Sequence, residues 1–128
     1  MSAPRFSALI LVVSAALSAQ VTVPALDPAG LAETLKSGKW TVIEFGGPTC
    51  VPCRQMQSTL VDLQQQFGTR ALVRNFYITE HIKEAQAYQV MAMPTQVIFD
   101  PRGKEVARHI GAWPKEAFIA ALAKAGLR

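Results

Sequence analysis

Cysteine is nearly absent: the 128 residues hold two, Cys50 and Cys53. One pair cannot supply a framework of structural disulfides, so any bridge is the one these two make with each other. Histidine is as sparse, and His81 and His109 lie far apart in the chain. They and the two cysteines could compose a four-ligand zinc set, but the spacing is not that of a zinc finger, and surface or structural roles suffice for both histidines. No metal site is expected. Charge is low, at 17% of residues, and the 13 basic side chains are spread along the sequence with a net charge of +4. That distribution lacks the basic patch a nucleic-acid-binding face requires. Long hydrophobic runs are missing too: the stretch from Phe6 to Leu17 is shorter than the roughly 20 residues of a membrane-spanning helix.

What is present is enough for one globular domain. Half the residues are apolar, with eight glycines and eight prolines, a composition that builds a core and excludes disordered or collagen-like chains. Residues 1–19 carry one basic residue, Arg5, then the apolar run, then small residues, which are the three parts of a secretory signal. Cleavage after Ser18 or Ala19 is expected, with an uncleaved tether as the alternative. Either outcome puts the domain, residues 20–128, outside the cytoplasm, in the periplasm where the source has an outer membrane. The mature domain is expected to be soluble and monomeric.

Along that domain, Val21–Val23 reads as a short edge strand interrupted by Pro24. Asp27-Pro28 reads as an N-cap and first helical residue, with Leu31, Leu35 and Gly38 completing a short helix. Trp40–Phe45 is a β-branched apolar run covered on both faces. A helix follows from Cys50 to Phe67, with Met56, Leu60, Leu63 and Phe67 on one side. Ala71–Ile78 predicts a strand and Glu80–Tyr88 a short helix. Thr95–Phe99 and Glu105–Ile110 form a hairpin across a turn at Asp100–Gly103. Pro114–Leu127 closes the chain with a helix facing Phe118, Leu122 and Ala125 inward. The fold class is α/β, a central mixed sheet flanked by helices on both faces.

The chemistry concentrates at Cys50 and Cys53, three residues apart on the first turn of a helix and so within disulfide reach. Unpaired N–H groups and the dipole at a helix N-terminus stabilise a thiolate, which makes Cys50 the nucleophile. Cys53, one turn in, attacks the mixed disulfide that forms at Cys50 and resolves it. Pro52 suits this turn because its missing N–H has no intrahelical partner to lose. Glu44 lies in the apolar strand ahead of the pair, where an acid is costly to bury and has a raised pKa unless paired. Lys39 and Lys104 are the partners a structural role would give it.

The segments EFGGPTCVPCRQM, MPT and GKEVARHIGAW resemble the thioredoxin superfamily, and the resemblance runs from Val21 to Leu127. It implies the thioredoxin fold, a cis-proline at Pro94, and a substrate groove formed by Met93, Thr95, Trp113, Pro52 and the Gly111-Ala112 turn, with a hydrophobic anchor for the last helix as the alternative role of Trp113. It gives Glu44 the place of a buried acid that passes protons to and from Cys53 through water. It implies no cofactor beyond the Cys50–Cys53 disulfide itself. The chain departs from the family at Gly46 and Thr49, where tryptophans are usual, at Asn75 in place of a lysine, and at Ser58 in place of a mid-helix proline. Those departures lead us to expect a thinner cover and a more flexible approach loop.

The activity implied is extracytoplasmic thiol-disulfide exchange, with proline before Cys53 pointing to a reductase. Its partners would be disulfide-bonded exported proteins and a membrane transporter that donates electrons. A disulfide oxidase or isomerase, or a non-catalytic adaptor, are the alternatives.

Overall fold

The computed structural model describes residues 21–128; the expected leader over residues 1–19 lies outside the described residues. The elements run β1 (Ala25–Leu26), α1 (Pro28–Leu35), β2 (Trp40–Gly46), α2 (Val51–Phe67), β3 (Ala71–Tyr77), α3 (Ile82–Ala87), β4 (Thr95–Phe99), β5 (Glu105–Ile110) and α4 (Lys115–Ala125). The sheet order is β1-β3-β2-β4-β5. β1, β3 and β2 are parallel, while β4 and β5 run antiparallel to their neighbours. This is the thioredoxin fold, and no helix among the described residues is long and apolar enough to cross a membrane.

Alternation along the strands assigns each side chain to a face. Val42, Val73 and Ile98 join Met56, Leu60, Leu63 and Phe67 of α2, and Phe118 and Leu122 of α4, in one core. Ile43, Phe45, Phe76, Val97 and Phe99 pack on the opposite face with Leu31 of α1. β2 is therefore buried on both sides along almost its whole length, as its unbroken apolar run predicts.

Several boundaries differ from the sequence reading, each for a physical reason. The edge strand is not Val21–Val23 but Ala25–Leu26, beyond Pro24. Side-chain amides take the backbone groups of Val23 instead: its N–H donates to Gln57 Oε1 at 3.3 Å and its carbonyl accepts from Asn75 Nδ2 at 2.9 Å. Cys50 is the N-cap of α2, one residue ahead of the helix proper. At the C-terminus α4 stops at Ala125, which is only half-buried; the chain turns at Gly126 and Leu127 fills the core in its place.

The β4–β5 hairpin is held by Asp100, whose Oδ1 accepts the N–H groups of Arg102 and Lys104. Gly103 completes it at φ +80°, with the position of a Cβ only 2.6 Å from the Leu35 carbonyl oxygen at the end of α1. An alanine there meets both a left-handed backbone and a rigid backbone atom. Gly103→Ala is expected to cost about 2 kcal/mol. The check is a lower urea midpoint at unchanged m-value; a midpoint equal to that of the parent protein would show that hairpin and helix end can separate freely.

Candidate active site

The site lies where α2 begins, above the C-terminal end of β2. Cys50 and Cys53 form a disulfide with Cα atoms 5.2 Å apart. Cys50 is half-exposed, whereas Cys53 is 3% exposed and faces the sheet. The N–H of Cys53 donates to Cys50 Sγ at 3.3 Å, and the N–H of Arg54 donates to the Cys50 carbonyl at 3.0 Å. Cys50 thus caps the helix with its own sulfur, and the same N–H is in place to stabilise a thiolate after reduction. The outer sulfur is thus open to solvent at the helix N-terminus, and the inner one is shielded by the sheet.

Gly46 governs how closely the sheet approaches that inner sulfur. It is the last residue of β2, buried, and a Cβ there would lie 2.9 Å from Cys53 Sγ and 3.2 Å from Cys53 Cβ. The sequence reading treated Gly46 as a gap in the apolar cover and a source of loop flexibility. The structure makes it a strand residue whose missing side chain is the space Cys53 occupies.

Glu44, on the same face of β2 as Gly46, is 1% exposed. Its Oε1 accepts from Gln57 Nε2 of α2, and its Oε2 from Gln96 Nε2 of β4, both at 3.3 Å. Its hydrogen-bond partners are two neutral amides and not Lys39 or Lys104, the pairing that a purely structural role would have given it. Burial raises its pKa to about 7, with the two amide bonds pulling in the other direction. Glu44 Oε1 and Cys53 Sγ both lie within 4 Å of the Gly46 Cβ position, and both line a cavity of about 110 Å³ together with Gln57, Asn75 and Tyr77.

Register explains this polar patch. Glu44 pairs with Asn75 on one side and with Gln96 on the other, and Gln96 pairs with His109. Four polar residues therefore form a row across the sheet beneath the first turns of α2, and Gln57 reaches down onto it. Gln57 Nε2 also donates to the Cys53 carbonyl and to Asn75 Oδ1, while Asn75 Nδ2 donates to Gln57 Oε1 at 2.9 Å. Sequence reasoning missed Gln57 and Gln96. Gln57 lies four residues after Cys53 and three before Leu60, on the buried stripe, and Gln96 interrupts the apolar strand TQVIF. A polar side chain at either place was the available signal.

The Met93–Pro94 peptide bond is cis. Met93 is 39% exposed, with its sulfur 3.3 Å from the Gly47 Cβ position. Pro94 is buried and its carbonyl accepts from Gly111 N–H at 2.7 Å, which joins the cis-proline segment to the Gly111-Ala112 turn. Thr95 is buried with its hydroxyl donating to the Ala92 carbonyl, so its side chain faces away from the surface. Pro52 is exposed beside the disulfide. Of the two readings of Trp113, the structure fits the anchor: it is 9% exposed, stacked between His109 and Phe118, and its backbone N–H donates to Met56 Sδ. It anchors α4 in the core instead of lining an open groove. His81 packs against the ring of Phe76, and no group of three or more metal-ligating side chains occurs among the described residues.

Two outcomes are expected from this geometry. Because the folded-state pKa of Glu44 lies above the ordinary 4.5, its contribution to stability is present below that value and is lost as pH rises to about 7. The loss amounts to about 3 kcal/mol. Urea unfolding of the oxidised protein at about pH 4 and pH 8 should show it, and Glu44→Gln should lack that component; identical pH dependence in both proteins would contradict the burial argument. Gly46→Ala should push Cys53 away from the sheet and destabilise the fold by about 1–3 kcal/mol. Unchanged stability together with an unchanged thiol-exchange rate would show that the close approach is dispensable.

Comparison with known proteins follows the same lines. A family model described as a thioredoxin-like domain matches residues 28–126. The thioredoxin of Bacillus subtilis (strain 168) is 32% identical over 95 residues, which cover 74% of this chain and 88% of that protein. The bifunctional thioredoxin reductase/thioredoxin of Mycobacterium leprae (strain TN) is 27% identical over 104 residues, 81% of this chain and 22% of that protein, so this chain spans about a fifth of that relative's length. Among solved structures, thioredoxin NaTrxh from Nicotiana alata shares 25% identity at a TM-score of 0.69, covering 84% of this chain and 95% of that one. The family match runs through every element except β1, and with the CxxC cysteine pair at the head of α2 it makes this chain a member of the thioredoxin-like family.

Proposed function

We propose that this chain is an extracytoplasmic protein-disulfide reductase. The observation that carries the reading is the asymmetric pair itself: an exposed helix-capping Cys50, and a buried Cys53 sharing a cavity with an acid that titrates near neutrality. In the reduced protein the Cys50 thiolate attacks one sulfur of a client disulfide. A mixed disulfide forms and the other client sulfur leaves as a thiolate, which takes a proton from water. Cys53 then gives its proton to the Glu44 carboxylate by way of the cavity, whose size and polar lining suit a bridging water. The Cys53 sulfur attacks Cys50 Sγ, the bond to the client breaks, and the released client thiolate takes up a proton. Two electrons have passed from the pair to the client, and the protein is left as the disulfide.

The exposed apolar side chains around the pair, Val51, Met93 and Ile110, suit an extended segment of an unfolded or partly folded client. Pro94 fixes the backbone of Met93 beside the disulfide, and that backbone is the natural pairing edge for such a segment. Proline directly before Cys53 supports the reducing direction, since the strong oxidants of the superfamily commonly carry histidine there. The leader-like residues 1–19 support an extracytoplasmic or periplasmic setting, where electrons would come from a membrane transporter with its own dithiol.

Cys50→Ser is expected to abolish reduction of a test disulfide, and Cys53→Ser to accumulate a mixed disulfide that is visible on a non-reducing gel and cleared by dithiothreitol. Retained turnover in Cys50→Ser would overturn the assignment of the nucleophile. Equilibration with glutathione decides direction: a potential near about −270 mV supports a reductase, and one near about −120 mV an oxidant.

A further inference from the structure

We infer that Gln57 and Gln96 are positioning residues for proton transfer, a pair of amides that holds the Glu44 carboxyl in whichever protonation state the reaction requires. This inference rests on the proposed proton-carrying role of Glu44 and extends it to residues that touch neither cysteine sulfur.

The chemistry follows from what an amide offers. A carboxyl that alternately takes and gives a proton changes from an acceptor of hydrogen bonds to a donor and acceptor. A lysine partner carries only donors, so it favours the anion and opposes the return of the proton. An amide carries both: its NH₂ holds the anion, and its oxygen accepts from the carboxylic acid once the group is protonated. Glu44 has one such amide on each oxygen, Gln57 on Oε1 and Gln96 on Oε2. Gln96 Oε1 is the one fully buried side-chain oxygen or nitrogen among the described residues with no hydrogen-bond partner. A half-turn of the Gln96 amide exchanges its nitrogen for that spare oxygen and presents an acceptor to the protonated carboxyl. Gln57 is braced more rigidly, through the Cys53 carbonyl, both polar atoms of the Asn75 amide and the Val23 N–H. It holds one side of the acid fixed relative to the Cys53 backbone.

The other titratable or charged groups around the acid are Cys53 and Arg54 from α2 and Tyr77 from β3, which line the same cavity, and His109 from β5, in register with Gln96 and with its ring nitrogen on the Ala112 carbonyl. None of the hydrogen bonds to the Glu44 carboxylate comes from a charged side chain. The two amides are therefore the polar contacts that a substitution can remove without removing a charge.

The test is a ¹³C NMR titration of the Glu44 carboxyl in the full-length oxidised protein, in which the cysteines do not titrate. The parent midpoint is expected near 7. Both amides present their NH₂ to the carboxyl, while turning an oxygen toward the acid costs Gln57 its bonds to Val23 and Asn75 and leaves the Gln96 NH₂ without a partner, so each holds the anion better than the acid. Gln57→Met and Gln96→Met should each raise the midpoint by roughly one pH unit, a tenfold gain in proton affinity. Gln64→Met is the control: Gln64 is also a hydrogen-bonded amide of α2, but it braces β3 through Val73 N–H and Arg74, so its loss should lower stability and leave the Glu44 midpoint in place. Midpoints in Gln57→Met and Gln96→Met equal to that of Gln64→Met would overturn the inference. Should one of the two fail to fold, the other decides alone, since they approach the acid from opposite sides.

Kinetics separate this inference from the reading beneath it. The resolving step is followed as release of thionitrobenzoate from a mixed disulfide at Cys50, across the pH range around the Glu44 midpoint. Gln57→Met should move the pH profile of release upward with the NMR midpoint, and the shift should vanish in the Glu44→Gln background. A shift that persists in that background would overturn positioning through Glu44. A parent profile unchanged by Glu44→Gln, alongside shifted NMR midpoints, would remove the acid from the resolving step and still confirm that the amides set its proton affinity.

Discussion

Burial of one carboxylate in the middle of the sheet is the constraint on which the site depends. β2 is covered on both faces, so alternation leaves Glu44 no exposed side: Ile43 and Phe45 face α1, and Val42, Glu44 and Gly46 face α2. Withdrawing an ionised carboxyl from water costs several kcal/mol, and two amide donors at 3.3 Å return only part of it. The balance appears as the raised pKa, which is to say that the fold is strained by the acid most where the acid is ionised. A neutral residue would serve packing better. An acid kept near its titration point beneath a buried cysteine sulfur is what the proposed proton transfer requires.

Around that acid the sequence builds a gradient of exposure over a single helical turn. Cys50 stands outside α2 as its cap and meets solvent. Cys53 lies inside it and touches the sheet at the spot that Gly46 vacates. The helix supplies the Cys53 N–H to the outer sulfur, the cavity brings an acid near the inner one, and the cis-proline segment is tied through Pro94 to Gly111. The cysteine spacing alone does not distinguish the two sulfurs. Their different surroundings do, and the proposed division into attacking and resolving cysteine rests on them.

Much of this was legible in the residues. The apolar run of β2, the stripe from Met56 to Phe67 and the hairpin turn at Asp100–Gly103 carry their periodicity and turn chemistry openly, and the CVPC segment follows a buried strand in plain view. What escaped notice was polar and tertiary. Gln57 occupies a core position of its helix, but a glutamine in a stretch already rich in glutamine looks like solvent-facing surface until the partner strand is known. Gln96 becomes meaningful only through antiparallel register with Glu44, which no local pattern contains. β1 escaped for a related reason: Val23 has the residue type of a strand, yet its hydrogen bonds go to the side chains of Gln57 and Asn75, and pairing with β3 begins after Pro24. Trp113 had two readings in the sequence, groove wall by family position or anchor of the last helix, and the rings on both its faces choose the second.

The Asn75 substitution and the Gln57 network are best understood together. A lysine in the Asn75 register, beside Glu44, would place a cation against the acid and favour its ionised form. Asparagine instead turns its amide to Gln57 and to the Val23 carbonyl, spending its hydrogen bonds on the chain segment that enters the domain. Two consequences follow from that one exchange. Burial keeps the acid's proton affinity near neutrality, and the hydrogen bonds that reach its carboxylate, from the neutral Gln57 and Gln96 amides, offset only part of that shift. The segment at Thr22 and Val23 becomes part of the wall around the acid and Cys53, so the same amide contacts that hold the N-terminal segment to α2 also shape the cavity that the acid and the inner cysteine share.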